Sequence, residues 1–204
     1  MTKPIFNYPP PSYTAFATTL TSGTIAAGMA ANSPIFSIRW TSLTKAFYLR
    51  QAKLTMVNDG TGFAAGSALF ELFKATAFSP SDSGGTQPTL SGDAFKLNAT
   101  QNTTGFAAAS ADLRIASTGT LTAGTRTLAT SPFVAALGGV VTTAGAIILP
   151  TYTLFDMDNY DAEQPLVLNP ATTAANAEGL VLRATVPATG TWRFSLDLKW
   201  YETT

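Results

Sequence analysis

The most restrictive feature of this chain is a strict alternation near its C-terminus. From Trp192 to Trp200 every second residue is large and apolar: Trp192, Phe194, Leu196, Leu198 and Trp200. Arg193, Ser195, Asp197 and Lys199 stand between them. Strand side chains point to opposite faces with period two, so this segment reads as a strand with one buried and one wet face. A helix would scatter the same residues around its circumference. Leu180, Leu182, Ala184 and Val186 repeat the pattern just upstream, and Pro187 to Gly190 is a four-residue connection. Together the two segments predict an antiparallel hairpin.

The rest of the chain reads the same way. Pro34 to Trp40 is rich in β-formers. In Ala46 to Asn58, Phe47 and Leu49 share one parity while Ala52, Leu54 and Met56 share the other. Such a parity change marks a β-bulge or a break between strands. Ala68 to Phe78 fits either a helical face or a strand covered on both sides; its bounded length favours the strand. Ser79 to Gly92 is loop by composition, Phe95 to Ala109 a polar loop or short edge strand, and Asp112 to Ala116 a short strand. Thr118 to Thr125 is turn, and Pro165 to Leu168 a short apolar run. No repeat of propeller or solenoid length is present. Strands spaced by Gly, Pro and Thr turns, without a convincing helix, predict an all-β fold: an antiparallel β-sandwich of jelly-roll type.

The start differs. Between Pro4 and Ser33 there is no charge, and Pro9, Pro10 and Pro11 fix an extended backbone that cannot donate into a central sheet. Ile5, Phe6, Tyr8, Tyr13 and Phe16 are too many apolar groups for a solvated tail. Residues 1–33 are therefore expected to form an extended arm and 34–204 a single sandwich domain. The arm either packs on its own domain or reaches a neighbouring subunit, with Phe6, Tyr8, Tyr13 and Phe16 as its contact residues.

Composition then removes whole classes of function. There is no cysteine and no histidine, which excludes disulfides, thiolate nucleophiles, histidine-based triads and most transition-metal sites. Lys plus Arg and Asp plus Glu are 12 each, and no basic run exists to neutralise phosphates, so no nucleic-acid partner is expected. Charged residues make up 12% of the chain against 46% hydrophobic, which suits a surface covered by partners better than a free monomer. The opening residues place prolines where a signal peptide needs an apolar helix. Phe133 to Leu149 is uncharged and apolar but interrupted by Gly138-Gly139 and Thr142-Thr143; it reads as buried strands with a turn, with no membrane span.

Little remains that could carry chemistry. Asp156, Asp158, Asp161 and Glu163 form the one acidic cluster. Hard oxygen ligands suit calcium, yet the spacing lacks the glycine and terminal glutamate of an EF-hand, so a solvated acidic loop is the expected reading. A glycosidase pair from Asp156 and Asp158 is formally possible, but nothing fixes its geometry. Ser83 to Thr86 lacks the Lys-Ser/Thr and the helix of a phosphate loop and reads as a loop tip. Asn98 and Asn102 sit in formal glycosylation sequons, expected to be accidental. Trp192 and Trp200 belong to the core row, whereas Trp40 is uncommitted. No catalytic residue, cofactor or enzymatic activity is expected.

Four segments carry a resemblance. EGLVLRATVPATGTWRF (Glu178 to Phe194), PLVL (Pro165 to Leu168), LFELFKATAF (Leu69 to Phe78) followed by Ser83-Gly84-Gly85, and STGTLTAGTR (Ser117 to Arg126) resemble small β-rich virion proteins of tailed phages. The likeness spans Ala46 to Glu202 and leaves the first 45 residues unmatched. It implies a virion structural protein and brings no active-site residues. With the sandwich pattern, low charge and aromatic arm, it leads to an auxiliary cement or decoration subunit, made in the host cytoplasm and bound outside the capsid. Its partners would be the major capsid protein or other virion proteins, and it would form a homo-oligomer, with a trimer favoured. A tail, baseplate or head-fibre component and a glycan-binding attachment module are the alternatives. The latter needs exposed Trp or Tyr beside the acidic loop.

Overall fold

A computed structural model describes residues 13–26, 29–64, 66–90, 95–96, 104–106, 112–140, 148–157 and 166–203. Eight strands dominate: β1 (Tyr13–Thr21), β2 (Ser33–Trp40), β3 (Phe47–Asn58), β4 (Gly66–Thr76), β8 (Val134–Val140), β9 (Ile148–Asp156), β11 (Glu178–Thr185) and β12 (Trp192–Thr203). Four short ones extend the edges: β5 (Phe95–Lys96), β6 (Leu113–Ile115), β7 (Thr127–Leu128) and β10 (Leu166–Leu168). Ala174–Asn176 form one 3₁₀ turn.

All pairings are antiparallel and fall into two sheets. The first runs β5-β1-β12-β3, with β9 and β10 sharing the far edge of β3. The second runs β6-β2-β11-β4, with β7 and β8 sharing the far edge of β4. Counting the eight long strands in chain order, one sheet reads first, eighth, third, sixth and the other second, seventh, fourth, fifth. That is the strand order of a jelly roll, two interlocked Greek keys wrapped into a sandwich. The all-β sandwich expected from the sequence is thus the fold.

Inner rows of the two sheets meet in one core. Phe16, Phe47, Leu54, Met56, Phe194, Leu196, Leu198 and Trp200 of the first sheet face Ile38, Trp40, Phe70, Leu72, Leu180, Leu182 and Ala184 of the second. At one end Trp200 stacks between Phe16 and Phe47, at 5.4 and 5.9 Å, and Trp40 packs on Phe47 and Phe106. The Trp40 indole donates to the Lys45 carbonyl at 2.7 Å, so the tryptophan left open by the sequence is interior. Each such side chain contributes about 1.5–3 kcal/mol by leaving water.

The parity change in β3 is a bulge. β12 pairs Lys199 with Gln51 and Trp200 with Leu49, leaving Arg50 as the extra residue. The Arg50 carbonyl accepts instead from the Met157 amide at 2.8 Å, at the junction between β9 and β10. Ala68 to Phe78 is strand for most of its length, as β4. Its outward residue Ala75 is buried beside Phe78 and Val181 in a second small cluster, because the 78–90 and 119–128 segments fold over this face.

Three expectations are corrected. The C-terminal strands do not form a hairpin: β11 lies in the second sheet and β12 in the first, so Pro187 to Gly190 crosses the sandwich. Both strands carry a full apolar row, and facing rows from opposite sheets bury each other more completely than two rows side by side. The proposed arm does not extend to residue 33, since Tyr13–Thr21 pairs with β12 along nine residues and β1 is integral to the first sheet. There Phe16, Thr18 and Leu20 point inward and supply the alternation, behind small Thr and Ala neighbours that hide it in the sequence. Phe133 to Leu149 is not a pair of buried strands: β8 and β9 belong to different sheets, and Phe133 and Leu137 are exposed. Among the described residues no helix is long and apolar enough to cross a membrane. Ser83 to Thr86 is an exposed loop tip, anchored at its ends where Ser83 bridges to Thr122 and Thr86 to Ile115.

Candidate functional site

Of the four arm residues, Phe6 and Tyr8 lie outside the described residues. Phe16 is a core residue stacked on Trp200. Tyr13 sits at the start of β1 on the outer face of the first sheet, edge-on to Tyr201 at 5.0 Å. Arg50, the bulge residue, lies over the same Tyr201 ring at 5.6 Å. Tyr13 and Phe16 are three residues apart and so fall on opposite faces of β1, one outside and one in the core.

Of the calcium candidates, Asp158, Asp161 and Glu163 also lie outside the described residues. Asp156 closes β9 and is buried; it accepts from Gln51 Nε2 at 2.9 Å and has Lys53 Nζ at 3.8 Å. Among the described residues no group of three metal-ligating side chains comes together. Beside this pair an open groove runs over the outer face of the first sheet, lined by Ala17, Thr19, Gln51, Lys53, Asp197 and Lys199. Thr19 donates to Asp197 at 2.6 Å, and Lys53 lies directly across from Asp197 in the pairing of β3 with β12. Opposite charges therefore alternate along the groove and neutralise one another. No aromatic ring walls it, and all three tryptophans are buried in the core.

The remaining described carboxylates are engaged in the fold. Glu202 is almost fully buried near the end of β12 and accepts from Thr104 Oγ1 (2.6 Å), the Gly105 amide (2.6 Å) and the Trp200 indole (2.9 Å). Burial pushes its pKa above the ordinary carboxylate value, against the pull of these donors and of Lys45 at 3.9 Å. This clamp pins residues 104–106 over the aromatic end of the core. Asp82 pairs with Arg126 and accepts from the Gly124 amide at 2.8 Å, holding the two segments that cover the second sheet. Burial, and then the charge of Arg183, push the Arg126 guanidinium down to about 10. Asp112 binds Arg39, Thr41 and Ser81. Glu178 binds Lys74 at 3.0 Å and the Asn169 amide at 2.7 Å, tying the second sheet to the chain just after β10. Asp59 is held below its ordinary pKa by the Thr24 hydroxyl and then by Arg193, and Glu71 faces Arg183.

Among the described residues the exposed large hydrophobic side chains are Leu43, Phe133 and Leu137; the last two lie at the open edge of the second sheet at β8, Phe133 with its ring 5.4 Å from that of Phe155. The uncharged run from Thr127 to Phe155 was visible in the sequence, but only strand order reveals that its first strand lies on an edge.

No protein-family model matches the sequence, and no curated protein matches it. Two solved structures align at low scores. The capsid protein of a 60-mer BFDV crystal structure is 9% identical with a TM-score of 0.28, over 94% of this chain and 93% of that one. A chain in the structure of infectious bursal disease virus, Gx strain, is 12% identical with a TM-score of 0.17, over 94% of this chain and 41% of that one. Likeness at this level carries no argument about role, and the fold rests on the strand order itself.

Proposed function

We propose that this chain is a structural subunit of a virion, and specifically an auxiliary cement or decoration subunit on the outside of a tailed-phage head. One observation carries the reading: every carboxylate among the described residues is engaged in holding the jelly roll together, while exposed apolar side chains collect on a loop and a sheet edge. Such a surface is suited to docking on other proteins rather than to turning over a small molecule. Zero net charge and the phrasing shared with small phage virion proteins support the same reading. The jelly roll is also a fold used by viral coat proteins, although it serves lectins and cupins as well, so it supports the assignment without deciding it.

Mechanistically, a cement subunit stabilises a shell by binding the assembled state and not the dispersed capsomers, so each contact area shifts the equilibrium toward the particle. Copies closing into a trimer would place three identical contacts around one junction. The test is to assemble shells with and without this protein and compare their resistance to heat and to osmotic shock. Greater resistance with the protein, and density for it at capsomer junctions by cryo-electron microscopy, are the expected results. Equal resistance of the two shells, or density confined to portal, tail or fibre, would replace this reading.

A further inference from the structure

The edges of the two sheets are not alike. On the first sheet, one edge is the two-residue β5; the other is shared by the three-residue β10 and by β9, which contains Pro150 and is interrupted by register shifts. On the second sheet, one edge is the three-residue β6, and the two-residue β7 occupies part of the other. Short strands, prolines and bulges are the usual devices that stop an edge from pairing with another chain. β8 has none of them. Its seven residues pair with β4 in unbroken register from Gly66 opposite Val140 to Leu72 opposite Val134, and it carries no charge and no proline. Among the described residues nothing pairs with its other side. Facing outward along it are Ala135 and Leu137, the latter 69% exposed; Phe133, just before its start, is 45% exposed and has its ring against Phe155 at 5.4 Å.

We infer that β8 pairs edge to edge with β8 of a second copy of this chain, antiparallel about a two-fold axis at Leu137, the centre of the strand. The strand is self-complementary in that register. An isologous contact opposes each residue to one of the same face, so the axis must pass through a residue and not between two. With the axis at Leu137, Leu137 faces itself, Ala136 faces Gly138, Ala135 faces Gly139 and Val134 faces Val140, so all seven residues are paired. The most exposed large side chain of the edge is then covered by its own copy, with small residues on either side. The run from Thr127 to Phe155 is uncharged, so bringing it against itself juxtaposes no like charges. The contact is a single strand pair, smaller than a standard protein interface, so it is a weak and reversible dimer, of the kind that repeats across an assembly. It leaves the other faces free to build a trimer and holds wherever on a particle the subunit sits.

The chain contains no cysteine, which makes the register directly testable. Directly opposed residues of an antiparallel pair have Cα atoms roughly 4.5–5.5 Å apart, inside the range a disulfide spans. Under mild oxidation L137C is expected to form a disulfide-linked dimer, and T172C, at an exposed bend outside β8, is expected to remain monomeric. In sedimentation the native sequence should show a concentration-dependent dimer that L137K weakens at least tenfold, with an unchanged circular dichroism spectrum. A native protein that stays monomeric, L137C linking no better than T172C, or a dimer indifferent to L137K would each overturn the inference. Capture of a strand from a different protein by monomeric β8 would overturn it too. None of these readouts depends on the particle, so a failure here is separate from a failure of the cement reading.

Discussion

Glu202 and Tyr152 are two of the residues at which the interior departs from a purely apolar core. Because burial raises the pKa of Glu202, the folded state binds its proton more tightly than the unfolded chain, whose ordinary value is 4.5. The stability this linkage contributes is fully present below that value and is lost as pH rises through the folded pKa. Glu202→Gln removes the titration and keeps one carbonyl acceptor, enough for Thr104 and the Trp200 indole, which share Oε1, at the loss of the Gly105 bond to Oε2. Relative to the native protein, the variant is expected to gain stability as pH rises from about 4.5 toward 7.5, read as a difference in thermal midpoints across that range. Tyr152 is the opposite case, a buried hydroxyl without a hydrogen-bond partner, and its burial raises its pKa. The hydroxyl lies against Gly138, where any Cβ would collide with it at 2.0 Å. Tyr152→Phe removes the unpaired group while keeping the ring packed on Phe70, and is expected to stabilise by about 1–3 kcal/mol in denaturant titration. Neither residue could be singled out in the sequence, where Glu202 is one of 12 carboxylates and Tyr152 one of 6 tyrosines.

At the scale of elements, β3 is the most constrained. It pairs with β12 along one edge and with β9 and β10 along the other, and its bulge at Arg50 sets which residues of all four strands face the core. Before the bulge Phe47 and Leu49 point inward; after it Ala52, Leu54 and Met56 do. Removing Arg50 would leave a regular strand with Phe47, Leu49, Ala52, Leu54 and Met56 all on one face, because the bulge residue is the one that stands outside the alternation. Deletion of Arg50 is therefore expected to keep cooperative unfolding, whereas deletion of Lys53, a one-residue slip that turns Leu54 and Met56 to the other face, is expected to abolish it. Near-ultraviolet circular dichroism and calorimetry distinguish the two. This element was legible in advance, since parity within one strand is a local property. The crossing of β11 to β12 was not, because a four-residue connection suits a hairpin as well as a bridge between sheets.

For the whole molecule, charge is spent internally. Paired carboxylates and cations hold the covering segments, the clamp on residues 104–106 and the tie between Lys74 and Glu178, and little net field is left at the surface. Association of such a protein is expected to depend weakly on ionic strength, because apolar contacts, not screened charges, drive it. Dimerisation through β8 and attachment to a shell should therefore both persist at salt concentrations that release nucleic-acid-binding proteins.

Local chemistry determined a good part of this. The period-two rows, the bulge, the turn-rich spacing and the missing histidine and cysteine fixed an all-β sandwich and narrowed its chemistry, because each is expressed in residues adjacent along the chain. The tertiary structure alone decided which strands share a sheet, that Phe16 belongs to the core, that Asp156 is bound by Gln51 and Lys53, and that β8 is an open edge. These depend on partners tens of residues away, where strands of equal apolarity compete for the same neighbour and only simultaneous burial of all the rows selects one arrangement.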